Sequence, residues 1–416
     1  MISRFKKSSK ICSLFYRNYE SSSSNSPGVF TSVLNENDED LENLRTDDTI
    51  TEIKNTFDIK RWPYYIENGL QKVYPYNFKH STYCKGRWVN RTLIDVYSND
   101  FSLFPKEEIE RRISTGILKV NGKIVNYDYK LKHSDALSSE VHRHELPILA
   151  CAIEVIFEDD DVLVINKPAS MPVHPCGLYR YNSAIFVAEH QLKLEILHVI
   201  HRLDRLTSGV IMFAKNRKKS QELHEDMKLG SIKKEYLCRV EGEFPDGVVV
   251  CNKPLKHMHY KVGIALVNPT GKMSITEFQK LSFNGNYAFG PEKGKHGVFH
   301  KNVDELMQDL INKHLKEWYM YDINENDHQA EIDANLKKLL SSMNSYSMNK
   351  DLLDTVYKKD PSRLAFLKDC YFCLHDFQDP RPSNLFMFLH SYKYKTDKWE
   401  YQTEIPIWAS DNWDVM

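Results

Sequence analysis

The segment HRLDRLTSG, His201 to Gly209, sets a carboxylate, Asp204, between two guanidinium groups, Arg202 and Arg205, on a polar turn between two apolar runs. A turn leaving a strand is where a sheet can present a reactive group at a cleft. The same aspartate taken alone is a surface salt-bridge partner. Downstream, Lys233 and Lys234 are candidate phosphate contacts beside Tyr236, which by itself reads as strand packing. Metal chemistry has one further starting point. Of the 8 cysteines only Cys370 and Cys373 form a C-x-x-C. A structural zinc needs two more ligands, and no second cysteine pair exists, so no metal site is expected. The scattered spacing suits reduced thiols.

The turn needs strands to hold it. Leu197 to Ile200 reads as a strand running into it and Val210 to Ala214 as one leaving it. Val155 to Phe157 and Val162 to Ile165 read as strands about the acidic turn Glu158 to Asp161. Asn216 can cap a helix that runs to Leu229 before Gly230, and Tyr236 to Val240 alternates as another strand. Nearer the N-terminus, PKEEIERRIST (Pro105 to Thr115) predicts a helix with proline at its first position, stopped by Gly116, and Thr92 to Asn99 predicts an earlier one. Ile117 to Val120 and Lys123 to Val125 flank Asn121-Gly122, a strong hairpin signal. The mixture is α+β.

A chain of 416 residues holds two to three domains, and 41% hydrophobic with 27% charged residues is ordinary for a globular protein. No run approaches the ~18 apolar residues of a membrane span, so no membrane partner is expected. The net charge of −1 argues against a nucleic-acid binder until the charge is mapped. Residues 79–134 hold eleven Lys and Arg against six acids, and 198–240 hold ten against five, so each segment is +5. Residues 303–336 offset this with nine acids against two lysines. The sum conceals two basic faces that can track phosphates. Residues 1–19 carry five cations and no acid, the pattern of a mitochondrial transit peptide, and an acidic run at 36–48 follows a serine-rich joint.

HRLDRLTSG matches the signature of the RluA-type pseudouridine synthases. VINKPASMPVHPCG (Val164 to Gly177), KKEYLCRVEG (Lys233 to Gly242) and LHSYKYKTDKWEYQTEIPIWA (Leu389 to Ala409) resemble that family's other core segments. WPYYIENGLQKVYPY (Trp62 to Tyr76) and VHRHELPI (Val141 to Ile148) are similar to its fungal tRNA pseudouridine-32 branch. Arg91 to Asp135 resembles the small αL RNA-binding domain, although Ser134 stands where that pattern has glycine. The resemblance implies a mixed, mainly antiparallel sheet with Asp204 as the catalytic carboxylate and Tyr236 as the active-site tyrosine. Arg202, Arg205, Lys233, Lys234 and Asn121 become candidate RNA contacts. It implies no cofactor and no metal. His201 is expected to be structural, and Lys167 and His174 receive no chemical role.

One family segment, P-x-T-G-R-x-H-Q-I-R, has no counterpart here: LSFNGNYAFG (Leu281 to Gly290) runs straight into a lysine- and acid-rich stretch. Its arginine would pair the catalytic aspartate. An omission in the sequence record and a real loss of catalysis are the two competing explanations. The expected layout is a transit peptide and acidic spacer (1–50), an extension with the αL-like domain (51–140), an incomplete catalytic domain (141–290), an insertion (291–385) and C-terminal catalytic strands (386–416). The expected activity is isomerisation of uridine to pseudouridine at position 32 of a mitochondrial tRNA anticodon stem-loop, by a monomer in the matrix or, alternatively, the cytoplasm. A non-catalytic tRNA-binding or folding factor is the alternative.

Overall fold

The computed structural model describes residues 63–101, 104–239, 244–259, 264–281, 336–340, 357–375 and 378–409, together with Arg17–Asn18 and Ala334. Almost all of residues 1–50, expected to be a transit peptide and acidic spacer, and most of the expected insertion at 291–385 lie outside the described residues. Among those described, no helix is long and apolar enough to cross a membrane.

Arg17–Asn18 forms a short strand, β1. Tyr64–Glu67 (β2) and Leu70–Val73 (β3) then make an antiparallel hairpin, turned by Asn68 and Gly69, both at positive φ (54° and 76°). This is the I′-type conformation that matches the twist of paired strands. The small domain follows. Tyr76–Tyr83 (β4), Leu118–Val120 (β5) and Ala136–Arg143 (β6) form an antiparallel sheet in the order β4-β6-β5. The helices Leu93–Val96 and Lys106–Ser114 cover it, burying Leu93, Val96, Ile109 and Ile113 against Leu118, Val120, Leu131 and Leu137.

Sequence and structure differ at three points in this domain. Lys123 to Val125 does not form a strand: only Lys123 bridges Val120, and β5 pairs with β6 instead. The Asn121 side chain explains this. It donates to Asp135 Oδ1 (2.8 Å) and accepts from Ala136 N (2.8 Å), which draws β5 onto β6 and leaves Ile124 exposed. The Thr92 helix stops at Val96 and opens into a wider turn, Tyr97–Phe101. There Asp100 is held back by Trp88 and, at 3.1 Å, by Arg91. The second helix begins after Pro105, which is its N-cap rather than its first residue, and ends ahead of Gly116 at φ 75°.

Ile148–Leu149 (β7) returns to β3, after which the chain enters the large sheet. Glu154–Glu158 (β8), Val162–Lys167 (β9), His198–Val199 (β10), Ser208–Ala214 (β11) and Lys233–Cys238 (β12) belong to it. Val248–His259 (β13), Ile264–Val267 (β14) and Lys272–Gln279 (β15) make a separate antiparallel sheet with β1. Leu389–Lys395 (β16) and Glu400–Gln402 (β17) then complete the large one, ordered β12-β16-β11-β9-β8, with β10 on β11 and β17 on β16. Among the described residues, the strands of the large sheet pair antiparallel except β11 with β16.

Every residue of β11 is buried, and all of β9 except Asn166, so these adjacent strands run through the core with a helix on either side. Ala184–Leu192, a helix the periodicity did not suggest, buries Ala184, Ile185, Val187 and Ala188 with Leu163, Ile165, Ile211 and Phe213. Arg217–Lys228 seats Leu223 with Val164, Val210 and Met212 on the other face. Asn216 caps it as expected, accepting from Lys219 N at 2.9 Å.

Candidate active site

The HRLDRLTSG segment is the connection from β10 to β11, and its last two residues already belong to β11. Ser208 and Gly209 pair in parallel with His390 and Ser391 of β16. At Gly209, φ is 112° and a Cβ would lie 2.1 Å from the Ser391 carbonyl oxygen, so only glycine lets these strands close up. Ser208 Oγ lies 2.8 Å from His390 Nδ1, which fixes the side chains across the same pair. Upstream, the Asp204 carbonyl accepts from Thr207 N (3.1 Å), closing the turn. Leu203 is buried with Ile165, Ile211 and Phe213, whereas its neighbours Arg202 and Asp204 are exposed. One apolar anchor thus holds the turn while a cation and a carboxylate face solvent.

Beneath that turn lies Lys167, at the end of β9 and paired with Gly209 in the sheet. It is fully buried, and its Nζ donates to the carbonyls of Pro168 (2.8 Å), Met171 (2.8 Å) and Arg205 (3.4 Å). The three bonds tie the β9 loop to the reactive turn. Burial, together with the Arg205 charge, pushes the Lys167 ammonium down to about 7, and the Asp204 carboxylate opposes that shift. Among the described residues no cation forms an ion pair with Asp204, so Lys167 is the buried basic group that bears on it. Lys167 carries no chemical role in the sequence reading; its signal is a lone lysine ending an apolar strand immediately before proline.

Tyr236 reaches the same region from β12. It pairs with Ser391, which itself pairs with Gly209, so the three stand in one row across β12, β16 and β11. Two strand spacings put the backbones of Tyr236 and Gly209 about 10 Å apart. A bulge between Glu235 and Tyr236 sets the tyrosine's facing. Its hydroxyl lies 3.1 Å from that of Tyr394, whose phenol is raised well above its ordinary range by burial and then by Tyr236. Lys234 Nζ is 5.7 Å from the centre of the Tyr394 ring. Lys233 is exposed at the start of the strand.

Other expected site residues are placed differently. Arg205 donates to the Asn384 carbonyl at 3.0 Å, so part of its guanidinium braces the segment before β16. Asn121 sits in the small domain with both ends of its amide engaged internally. His201 Nε2 accepts from Met212 N (3.3 Å) and burial pushes the ring down to about 3, an arrangement for a structural acceptor. The +5 count over 79–134 overstates what that face presents: Arg91 is held by Asp95 (2.7 Å), and Arg111 and Arg112 by Glu108 (2.7 Å each). The expectation that Cys370 and Cys373 lack further ligands does not hold. His142 and His144 converge on them, a pairing hidden in sequence because 231 residues separate His142 from Cys373.

Comparison with known proteins is consistent with this geometry. A match to the family described as RNA pseudouridylate synthase covers residues 161–300. Pseudouridylate synthase RPUSD2 of Mus musculus is 38% identical over 405 residues, which span 84% of this chain and 73% of that one. The tRNA pseudouridine(32) synthase, mitochondrial, of Saccharomyces cerevisiae is 31% identical over 375 residues, which span 83% of this chain and 78% of that one. The tRNA pseudouridine(31) synthase of the same yeast is 26% identical, over 83% of this chain and 96% of its own.

Proposed function

The chain belongs to the RNA pseudouridylate synthase family, and from that premise we propose that it isomerises uridine 32 in the anticodon stem-loop of mitochondrial tRNA, with Asp204 as the catalytic carboxylate. The observation that carries this reading is the setting of Asp204: exposed on a turn whose backbone is pinned by Leu203, Gly209 and Lys167. Position 32 and the mitochondrial setting draw on the yeast relative's name and on the basic residues 1–19.

The reaction breaks the C1′–N1 bond of a uridine, turns the detached uracil over and joins C5 to C1′. N1 gains a proton and C5 loses one, so atoms balance with no oxidant and no external energy source. The target uridine must first leave its stack. Arg202, exposed two residues before Asp204, is suited to the space the base vacates. Asp204 adds to the substrate or stabilises it while the bond is broken. Tyr236, half-buried and in one sheet row with Gly209, has a ring suited to stack on uracil and a hydroxyl suited to assist proton removal from C5. Lys233 and Lys234 supply phosphate contacts along β12.

The second reading, a non-catalytic tRNA-binding factor, rests on the sequence having no counterpart of the P-x-T-G-R-x-H-Q-I-R segment. Carbodiimide-adduct primer extension on anticodon-arm RNA separates the two. The proposed function gives a stop at uridine 32 that Asp204→Ala abolishes. A stop at position 31 would move the site assignment. Salt-dependent binding with no stop would establish the binding factor.

A further inference from the structure

His142, His144, Cys370 and Cys373 bring one ligand atom each to within 4.8 Å of all the others. Cys373 Sγ lies 3.3 Å from His144 Nε2 and 3.4 Å from His142 Nδ1, and those two nitrogens are 3.2 Å apart. A tetrahedral ion with Zn–S of about 2.3 Å and Zn–N of about 2.0 Å requires donors roughly 3.3–3.8 Å apart, which these separations approach. Neither cysteine is in a disulfide. We infer that these four side chains form a structural Cys2His2 zinc site, which fastens the turn at 367–374 to the seam between the small domain and the catalytic domain.

The local sequence explains why the four converge. His142 lies at the end of β6 and His144 is the first residue beyond it, two residues on, so both side chains leave one side of the extended chain. Arg143, between them, leaves the other and donates to the Gly177 carbonyl at 2.7 Å. On the cysteine side, the Cys370 carbonyl accepts from Cys373 N (3.1 Å) and Leu374 N (3.2 Å), which coils the two thiols onto one side of a tight turn. Leu367 N approaches Cys373 Sγ at 3.5 Å, the placement of a backbone donor that stabilises a metal-bound thiolate. Phe372 stacks on the His144 ring with centroids 5.6 Å apart. Two thiolates with two imidazoles in tetrahedral array select zinc over oxygen-seeking cations.

The position gives the ion a task. The cysteine turn leans on the small domain through Phe104, whose ring meets Tyr371 and Phe372 edge-on, and through Arg111, which donates to the Asp369 carbonyl at 3.0 Å. The histidine strand continues into Glu145, whose carboxylate accepts from the backbone amides of Arg180, Tyr181 and Asn182 at 2.8, 3.0 and 2.9 Å. Zinc would therefore join three parts: the αL-like domain, the loop at Gly177–Asn182 and the segment leading to β16. Because the ligands come from distant segments, binding the ion is also folding free energy.

The test is metal content of the full chain, purified with a thiol reductant and without chelator. One zinc per chain is expected, with the Cys370→Ser, Cys373→Ser double variant at the buffer blank and a Cys176→Ser control unchanged. Titration of the chelated wild-type chain with cobalt(II) should give the intense visible bands of a tetrahedral ion and a thiolate charge-transfer band. If the double variant does not fold, His144→Cys replaces it: zinc should be retained and the cobalt spectrum should shift toward three thiolates. Absence of zinc and of the cobalt bands in reduced wild-type chain overturns the site, as does wild-type zinc content in the double variant or an unshifted spectrum in His144→Cys.

Discussion

Ser208 Oγ lies 2.8 Å from His390 Nδ1, and the other ring nitrogen lies 2.6 Å from Thr403 Oγ1. A neutral imidazole between two hydroxyls satisfies both without a net charge, and it joins the strand carrying the reactive motif to one 182 residues away. The site is therefore completed only when the C-terminal strand enters the middle of the sheet.

That arrangement makes stability depend on pH. Burial, then the Lys167 charge, pushes His390 down to about 3, and burial, then Lys234, does the same to His201. In the unfolded chain both take up a proton near the ordinary value of about 6.5. Between those values the unfolded state binds protons that the native state excludes. The contribution of these two histidines is thus full above about 6.5 and falls as pH drops toward 3, by up to about 1.4 kcal/mol per unit for each. Urea unfolding over that range should show His390→Leu with a flatter dependence than wild type, whatever its absolute stability. An equal slope would remove His390 from the account.

Lys167 offers a second test, since its three carbonyl partners come from both sides of the site. Lys167→Met keeps the length of the side chain and removes every donor. The buried carbonyls left behind should cost about 2 kcal/mol or more. Turnover should fall further than the stability change explains, because the Arg205 carbonyl anchors the Asp204 turn. Tm and single-turnover rate at saturating RNA measure the two effects. A normal rate in the folded fraction would reduce Lys167 to packing.

How much of this was legible in the sequence follows the range of the forces involved. The Asn216 cap, the Gly116 stop and the strand from Val210 are local effects, and each appears where the residues put it. The chain's own pattern also placed Asp204 on a turn between strands. The hairpin at Asn121 failed because a competing acceptor, Asp135, is 14 residues away. Lys167 and the Cys370 pair failed for the same reason on a larger scale: what gives them meaning is a carbonyl at Arg205 and a histidine pair at 142 and 144. No periodicity reports such long-range meetings.

Ser134 shows a local departure that the structure accounts for. It stands where glycine is expected in the αL-like pattern and adopts φ 66°, the left-handed conformation glycine takes without strain. The residue is exposed, and the next one, Asp135, accepts from Lys132 N at 2.8 Å, so the turn is imposed by its neighbours. Ser134→Gly relieves that strain but adds freedom to the unfolded chain, leaving a net gain of about 0.5 kcal/mol. A rise in the urea midpoint with unchanged slope would show it, and a fall would mean the serine hydroxyl contributes more than the strain costs.

The paired hydroxyls of Tyr236 and Tyr394 allow reaction and packing to be separated. Either phenylalanine substitution deletes the same 3.1 Å hydrogen bond, so each should cost about 1 kcal/mol of stability. Only Tyr236 is partly accessible; Tyr394 is buried at 1% exposure beneath it. If the Tyr236 hydroxyl takes part at C5 of the rotated uracil, Tyr236→Phe lowers the single-turnover rate by about 100-fold, in the range of a positioned acid–base group, with RNA affinity unchanged. Tyr394→Phe should then lose stability with little change in rate. Equal rates in the two variants would leave Tyr236 with stacking alone.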